Sequence, residues 1–177
     1  MAQIRDYLHQ AHSRSRDGFV SSHPEAVLVQ SSAEPSGDPR NEYRSTLRMR
    51  IDSESQDIKV EPLPPSPLDA VFALVESDRK SFAGKVLVGR TETNDIVISH
   101  LTVSKHHAYF RHDKDAGRMS LCDTGSTNGT RVNGQTLQER QPRYLADGDR
   151  IAFGDVQFVF FTASGFYDLL QSLSVLL

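Results

Sequence analysis

From Ala70 to Thr162 the chain alternates apolar and polar residues in short runs that are separated by turn-forming residues. The runs are AVFALVE, KVLVGR, DIVIS, HAYFRH, MSLCD, TRVNG, DRIAFG and VQFVFFT. Alternation with a period of two is typical of strands that bury one face, and the lack of helical patterns between the runs argues against βαβ units. Turn sequences such as DAG, VNG and ADGD connect the runs. We therefore predict an all-β sandwich or barrel for residues 70–163.

Residues 1–69 have a different pattern and are predicted to be an N-terminal extension. Ile4, Leu8 and Ala11 lie at helical spacing, which predicts a short amphipathic helix near the N-terminus. Two segments, SSAEPSGDPRNE and VEPLPPSPLD, are rich in Pro, Ser, Gly and acidic residues. We interpret them as linkers, because they bury too little apolar surface to offset chain entropy. Between them, TLRMRIDSESQDIKVE alternates as a pair of short strands would.

The chain ends in a second helical pattern, over residues 164–177. Phe166, Leu169, Leu170 and Leu173 lie at helical spacing behind Ser164. A serine at this position is a favourable N-cap residue. We predict a C-terminal helix that packs on the sandwich or on a partner.

Composition narrows the functional classes. With 20 basic and 23 acidic residues the net charge is -3, so no bulk attraction to nucleic acid or to an anionic membrane is expected. Cys122 is the only cysteine, which excludes an internal disulfide and a thiolate metal cage, and we interpret it as a small core residue. The N-terminus lacks the apolar core of a signal peptide, and no apolar run is long enough to cross a bilayer. We expect a soluble, cytoplasmic protein.

Three loops between the predicted strands are rich in hydrogen-bond donors. Loops of a sandwich meet at its ends, where a rigid scaffold holds distant polar groups together. An arginine provides a planar charged fork, hydroxyls and an ammonium add further donors, and a Gly-rich turn adds backbone N–H groups. This set of donors suits a tetrahedral dianion. The residues are Gly89 and Arg90 in the first loop, Ser104, Lys105, His106 and His107 in the second, and Thr127, Asn128, Gly129 and Asn133 in the third.

The segments VLVGR, NDIVIS, LTVSKHHAYF, LCDTGSTNGTRVNG and LADGDRIAFG, in this order, resemble a forkhead-associated (FHA) domain. The resemblance covers about residues 70–163, and FHA domains belong to the recurring phosphopeptide readers. It implies a β-sandwich of about eleven strands that binds phosphothreonine peptides through the loops at one end.

The resemblance also implies individual roles for the loop residues. Arg90 matches the arginine that forms a salt bridge with the phosphate, and Ser104 and Thr127 match two further phosphate contacts. Lys105 occupies a position that varies between basic and amide residues in the family, and a phosphate contact is implied there too. Asn128 matches the asparagine that holds the peptide backbone beside the phosphothreonine.

Four further positions match residues that shape the site. Gly89 gives the first turn room, His107 braces the binding loops from beneath, and Gly129 and Asn133 serve the third turn. Sequence preference in the family usually comes from the loop that follows, here QTLQERQPRYLADG. Two arginines in that loop favour an acidic peptide position, although arginines on a solvated loop more often serve solubility.

Other chemistries find little support in the sequence. The four histidines from His100 to His112 invite a metal hypothesis, but His106 and His107 point to opposite faces of a strand, and no acidic or thiolate partner lies at ligand spacing. We therefore expect no metal and no cofactor. Asp123 and three later aspartates are interpreted as turn residues rather than as a carboxylate pair. Because no pair of nucleophile and base is present, we do not expect an enzyme.

The sequence thus favours a phosphothreonine-binding adaptor that acts in signalling downstream of a Ser/Thr kinase. A first alternative is a scaffold that makes phosphate-independent protein–protein contacts through another face or the terminal helices. A second is a DNA-associated regulator, although no basic helix or zinc-ligand spacing supports it.

Thr46 is the only threonine before the sandwich region, and it has two interpretations. It is a residue of the first short strand, or it is a phosphorylation site whose modified tail binds the protein's own pocket. A tethered ligand competes well even when its affinity is low, provided that the linker spans the distance. The strand-like alternation around Thr46 favours the first interpretation.

Overall fold

The computed structural model describes residues 2–30, 47–51, 58–62, 65–66, 69–76 and 84–174. The helices in these residues are α1 (Ile4–Ser13), α2 (Arg16–Ser22) and α3 (Ala163–Ser174). The strands are β1 (Ala2–Gln3), β2 (Ala26–Gln30), β3 (Leu47–Ile51), β4 (Ile58–Pro62), β5 (Ala70–Ala73), β6 (Val86–Gly89), β7 (Ile96–Val97), β8 (Ala108–Asp113), β9 (Arg118–Asp123), β10 (Thr130–Val132), β11 (Gln135–Thr136), β12 (Arg143–Tyr144), β13 (Arg150–Phe153) and β14 (Val156–Thr162).

Two sheets form a sandwich, as the alternating pattern predicted. One has seven strands in the order β1-β5-β2-β14-β13-β10-β11, and the other has five in the order β12-β9-β8-β6-β7. All neighbours pair antiparallel except β6 and β7, which are parallel. The β-sandwich fold class is therefore confirmed. Two of its twelve strands, β1 and β2, come from the N-terminal segment that the sequence analysis did not assign to the sandwich.

The main core lies between the two sheets, because the residues that alternate inward on both are apolar. Phe110 of the five-stranded sheet meets Phe153 of the seven-stranded sheet edge to face, with ring centroids 6.3 Å apart. Such aromatic pairs add about 0.5–1.5 kcal/mol to the free energy gained from burial. The largest fully buried side chains of this core are Leu28, Phe110, Leu121, Ile151, Phe153, Phe158 and Phe160.

A second apolar cluster lies on the outer face of the seven-stranded sheet, where all three helices cover it. Ile4 of α1, Phe19 of α2 and Phe166 of α3 are each at most 1% exposed and belong to one buried cluster with Val29 of β2. None of the helices in the described part of the chain is long and apolar enough to cross a membrane. The helices are thus part of the folded unit, and their apolar faces cover the sheet.

The ends of the helices show how the sequence positions them. At the start of α1 the Asp6 carboxylate accepts a hydrogen bond from the Gln3 N–H at 2.8 Å. The predicted N-cap of the last helix is wrong: α3 begins at Ala163, and the Thr162 hydroxyl rather than Ser164 accepts from the Gly165 N–H at 3.1 Å. The Thr162 backbone N–H in turn bonds to the carboxylate of Asp147, which lies in the loop before β13.

Between the linkers, β3 and β4 pair antiparallel as a separate two-stranded sheet, with Met49 opposite Val60. Thr46 lies outside the described residues.

Candidate functional site at one end of the sandwich

The three donor-rich loops meet at the same end of the sandwich. Antiparallel pairing places Val88 of β6 opposite Ala108 of β8, and Ala108 opposite Asp123 of β9. In the other sheet Thr130 of β10 lies opposite Phe153 of β13. The loops that follow β6 and β9 and the loop that precedes β8 therefore converge, as the sequence predicted.

Arg90 is held by the loop that contains Ser104. Its backbone N–H donates to the Ser104 carbonyl at 2.9 Å, and its side-chain Nε donates to the Val103 carbonyl at 3.1 Å. The side chain is otherwise exposed. Because this contact uses Nε, it fixes the guanidinium and leaves its terminal nitrogens to bind an anion.

Gly89 is required because the two loops approach each other closely. A Cβ at this position would lie 2.7 Å from the Asn94 Nδ2 and would overlap the Lys105 carbonyl. Asn94 itself is only 5% exposed and donates to the carbonyls of Thr91 and Lys105 at 2.8 and 2.7 Å. Asn94 was not identified from the sequence. The sequence shows only that Asn94 precedes an aspartate in a turn. It does not show the hydrogen bond from Asn94 to the distant Lys105 carbonyl.

Ser104 and Thr127 are brought together across the two loops. The Thr127 N–H donates to the Ser104 Oγ at 3.0 Å, and the Ser104 hydroxyl lies 3.4 Å from the Thr127 Oγ1. Thr127 is exposed and Ser104 is half-buried. Two hydroxyls at this separation can both donate to one phosphate group. Lys105, the next residue, is exposed on the same loop, so its ammonium adds positive charge to this end of the sandwich.

Asn128 is oriented by a single hydrogen bond. Its Nδ2 donates to the Thr102 carbonyl at 2.8 Å, while the residue remains exposed. This bond fixes which end of the amide is the nitrogen, so the oxygen is the atom presented as an acceptor for a backbone N–H. The Thr102 hydroxyl oxygen accepts a second hydrogen bond, from the Asp155 N–H at 3.0 Å, which connects the loop after β13 to the site. The role of Thr102 was not identified from the sequence.

His107 lies beneath the loops and is fully buried. Its Nδ1 accepts from the Ser104 N–H at 3.0 Å, so the proton is on Nε2, which donates to the Gly129 carbonyl at 3.1 Å. The ring also meets Phe153 edge to face at 5.6 Å. Burial lowers the pKa of His107, although its bond to Gly129 and the Asp123 carboxylate act in the opposite direction. The neutral ring therefore joins the second and third loops through these two hydrogen bonds.

We expect the free energy of unfolding to fall as the pH is lowered below about 6.5, the ordinary pKa of histidine. The pKa of His107 is lowered in the folded state, so between that value and 6.5 the unfolded chain binds more protons. The stabilisation is present above pH 6.5 and is lost as the pH falls through the folded-state pKa. Urea unfolding at pH 7.5, 6.5 and 5.5 measures this slope.

The matched variants for this measurement are His107→Gln and His9→Gln, the latter on the exposed side of α1. We expect His107→Gln to flatten the pH dependence and His9→Gln to leave it unchanged. Equal slopes in wild type and His107→Gln would show that another group causes the acid sensitivity.

Asp123 holds the third loop in shape. This carboxylate is 4% exposed and accepts from the N–H groups of Gly125 and Ser126 at 2.8 and 2.9 Å, and from the Thr130 hydroxyl at 2.5 Å. Burial alone would raise the pKa of Asp123, but these bonds and one from the Ser126 hydroxyl outweigh it, so the pKa lies below its ordinary value. The interpretation of Asp123 as a turn residue agrees with this geometry.

Gly129 and Asn133 lie at opposite ends of β10. Gly129 ends the third loop with a φ of 75°, which favours glycine. Asn133 turns the chain between β10 and β11, accepts from the Arg150 N–H at 2.9 Å and donates to Asp149 at 2.8 Å. The structure therefore does not bring Asn133 to the binding loops, because a strand separates it from Gly129. It supports β10 and β13 from the far end.

No group of three His, Cys, Asp or Glu side chains that could hold a metal ion occurs among the residues that the structure describes. Cys122 is buried and free, and its Sγ lies 3.7 Å from the Asp123 carbonyl.

Comparison with known proteins gives matches in the region that contains the three loops. The family model of the FHA domain matches residues 86–154. The glycogen accumulation regulator GarA of Mycolicibacterium smegmatis is 38% identical over 74 residues, 42% of this chain and 44% of that protein. The oxoglutarate dehydrogenase inhibitor of Corynebacterium diphtheriae is 38% identical over 72 residues, 41% of this chain and 47% of that protein. The chain thus matches less than half the length of these two relatives.

Among solved structures, the N-terminal FHA domain of S. cerevisiae Rad53p in complex with a phosphothreonine peptide is 24% identical, with a TM-score of 0.46. The similarity covers 56% of this chain and 89% of that one. The residues matched by the family model, 86–154, run from the start of β6 to the residue after β13 and include all three loops of the site. Residues 86–154 of this chain therefore match the FHA domain family.

Proposed function

We propose that this protein is a phosphothreonine-binding adaptor in signalling. The proposal rests on one observation: hydrogen bonds join the three loops around two hydroxyl groups and one guanidinium group. The Arg90 backbone N–H donates to the Ser104 carbonyl at 2.9 Å, the Arg90 Nε donates to the Val103 carbonyl, and the Thr127 N–H donates to the Ser104 Oγ at 3.0 Å. The donors are therefore held together before any ligand binds, which reduces the entropy lost on binding.

The chemistry of the site fits a phosphate monoester on a peptide. Such a group carries about -1.5 to -2 charges at pH 7 and three strong acceptor oxygens. Arg90 binds it through a planar fork, Ser104 and Thr127 donate hydroxyl hydrogens, and Lys105 adds charge. Asn128 presents an amide oxygen to the backbone N–H beside the phosphothreonine, so it fixes the register of the peptide without reading its sequence.

The partners follow from this chemistry. The site would bind a protein phosphorylated on threonine, so the protein would act downstream of a Ser/Thr kinase and would contact that kinase or its substrate. The names of the two curated relatives describe a regulator and an inhibitor, which supports a regulatory binding module rather than an enzyme. A cytoplasmic location, where such kinases act, completes the proposal.

The same pocket would accept the protein's own N-terminal tail if Thr46 were phosphorylated. That segment lies outside the described residues, so support for this part of the proposal comes from the sequence and from the effective concentration of a tethered ligand. Assays of the pocket therefore require protein treated with phosphatase.

The proposal is tested by fluorescence anisotropy with degenerate peptides that carry a central phosphothreonine, phosphoserine or threonine. We expect the phosphothreonine peptides to bind at least about 100-fold more tightly than unphosphorylated ones, because several charge-assisted hydrogen bonds are lost together. Phosphoserine peptides should bind about fourfold less tightly than phosphothreonine peptides, because burial of one methyl group contributes about 0.8 kcal/mol to the binding free energy. Equal binding of threonine and phosphothreonine peptides would favour the phosphate-independent scaffold.

A further inference from the structure

Leu101 is unusually exposed for a leucine. Its relative exposure is 90%, whereas the other two exposed large apolar residues among those described, Val75 and Tyr144, are exposed to 54% and 42%. Tyr144 has a reason to lie at the surface, because its hydroxyl bonds to Asp113. No polar group of Leu101 explains its position.

The backbone around Leu101 is well held, so its exposure is not that of a loose loop. Ile98 and Val103 on either side are 6% and 1% exposed and anchor the segment in the core. Within it, the His100 N–H donates to the Ile98 carbonyl at 2.8 Å, and the Val103 N–H donates to the His100 carbonyl at 3.1 Å. An apolar side chain on a fixed backbone loses little conformational entropy when a ligand covers it.

Leu101 lies beside the residues that hold the peptide-binding side chains. The next residue, Thr102, accepts the hydrogen bond that orients Asn128. Ser104 follows two residues later. Both residues that the proposed function assigns to the peptide, Ser104 and Asn128, are thus attached to the backbone within three positions of Leu101.

We propose that Leu101 determines sequence preference, by packing against an apolar side chain that lies within a few residues of the phosphothreonine in the bound peptide. This inference rests on the proposed function and names the class of peptide that the site takes. A second copy of the chain is a poorer occupant, because one leucine flanked by polar His100 and Thr102 offers far less than the area that stable interfaces bury.

The two arginines between β11 and β13, Arg140 and Arg143, both contact side chains of their own segment. Arg140 Nε lies 3.3 Å from the Glu139 carboxylate, and Arg143 donates to the Gln135 side chain at 3.3 Å. Both guanidinium groups therefore have partners within their own segment.

The test uses one phosphothreonine peptide with alanine at all flanking positions, and a series in which a single leucine replaces each flanking alanine in turn. For the wild type we expect leucine at one position to tighten binding roughly tenfold, the value of covering a leucine side chain. Leu101→Ser should remove this gain and leave the affinity for the all-alanine peptide unchanged. Val75→Ser is the matched control, because Val75 follows β5 at the other end of the sandwich and is also exposed.

Three results would overturn the inference. Wild-type protein that binds every peptide of the series equally would leave the proposed function intact and remove the role of Leu101. Retention of the leucine preference in Leu101→Ser would assign it to another residue. If light scattering gave Leu101→Ser a lower molar mass than wild type, and wild type showed no leucine preference, a second copy of the chain would be what covers Leu101. Failure to bind any phosphothreonine peptide would instead contradict the proposed function.

Discussion

Replacement of Arg90 by alanine is expected to weaken phosphopeptide binding by about 30-fold to more than 1,000-fold. Truncating one partner of a hydrogen-bonded charge pair costs about 2–5 kcal/mol, and each 1.4 kcal/mol is a tenfold change in affinity. The fold should tolerate the change, because Arg90 is exposed and its side chain bonds only to the Val103 carbonyl among the described residues. The measurement is peptide anisotropy beside thermal unfolding of the same sample.

Two further variants distinguish the position, the charge and the planar guanidinium geometry of Arg90. Arg118→Ala removes the same charge from the far end of β9, and we expect it to leave the affinity unchanged. Arg90→Lys keeps the charge and loses the planar fork, so its affinity should lie between wild type and alanine. If Arg90→Ala bound the phosphopeptide like wild type while remaining folded, the guanidinium would not be a phosphate ligand.

Eight of the ten strands in residues 70–163 were predictable from the sequence because each is specified by local alternation. The two-residue strands β11 and β12 are too short to show such a pattern and were not among the predicted runs. Inward-facing residues such as Phe110, Phe158 and Phe160 occupy every second position and are fully buried. The convergence of the donor-rich loops followed as well, since antiparallel strands bring alternate connections to one end. Recognition of the FHA family placed Arg90, Ser104 and Thr127 in the same loops that the structure joins.

Strand β2 could not be identified in the same way. Its sequence, AVLVQ, is a continuous apolar run, and such a run suits a buried strand or a buried helical segment equally. The reason for the pattern is tertiary: Leu28 faces the core between the sheets, while Val27 and Val29 face the helices. Both faces are covered, so alternation is absent.

The hydrogen bonds that hold the site were also beyond the sequence. Asn94 and Thr102 each join loops that are distant along the chain, and nothing in their local sequence specifies those partners. Asn133 shows the converse. It belongs to a recognisable motif and was placed with the site, but the length of β10 carries it to the other end of the strand.

A chain that begins after Gln30 is expected not to fold, although the FHA family match begins only at residue 86. Strand β2 bonds to β14 on one side and to β5 on the other, so its loss divides the seven-stranded sheet. Burial of one large apolar side chain stabilises by roughly 1.5–3 kcal/mol. Ile4, Phe19 and Leu28, all fully buried, therefore contribute about as much as the 5–15 kcal/mol by which a domain is typically stable.

Circular dichroism and dispersion of amide NMR signals would measure this loss, and a synthetic peptide of residues 2–30 added to the truncated chain should restore both. The graded test is Leu28→Ala, which should lower the free energy of unfolding by about 2–5 kcal/mol. Its control is Ser21→Ala, at an exposed position of α2, which should change that free energy by less than about 0.5 kcal/mol. Cooperative unfolding and intact peptide binding in the truncated chain would mean that the sandwich closes without β2. Since β5 and β14 have no other strand between them, that outcome would require them to pair directly with each other.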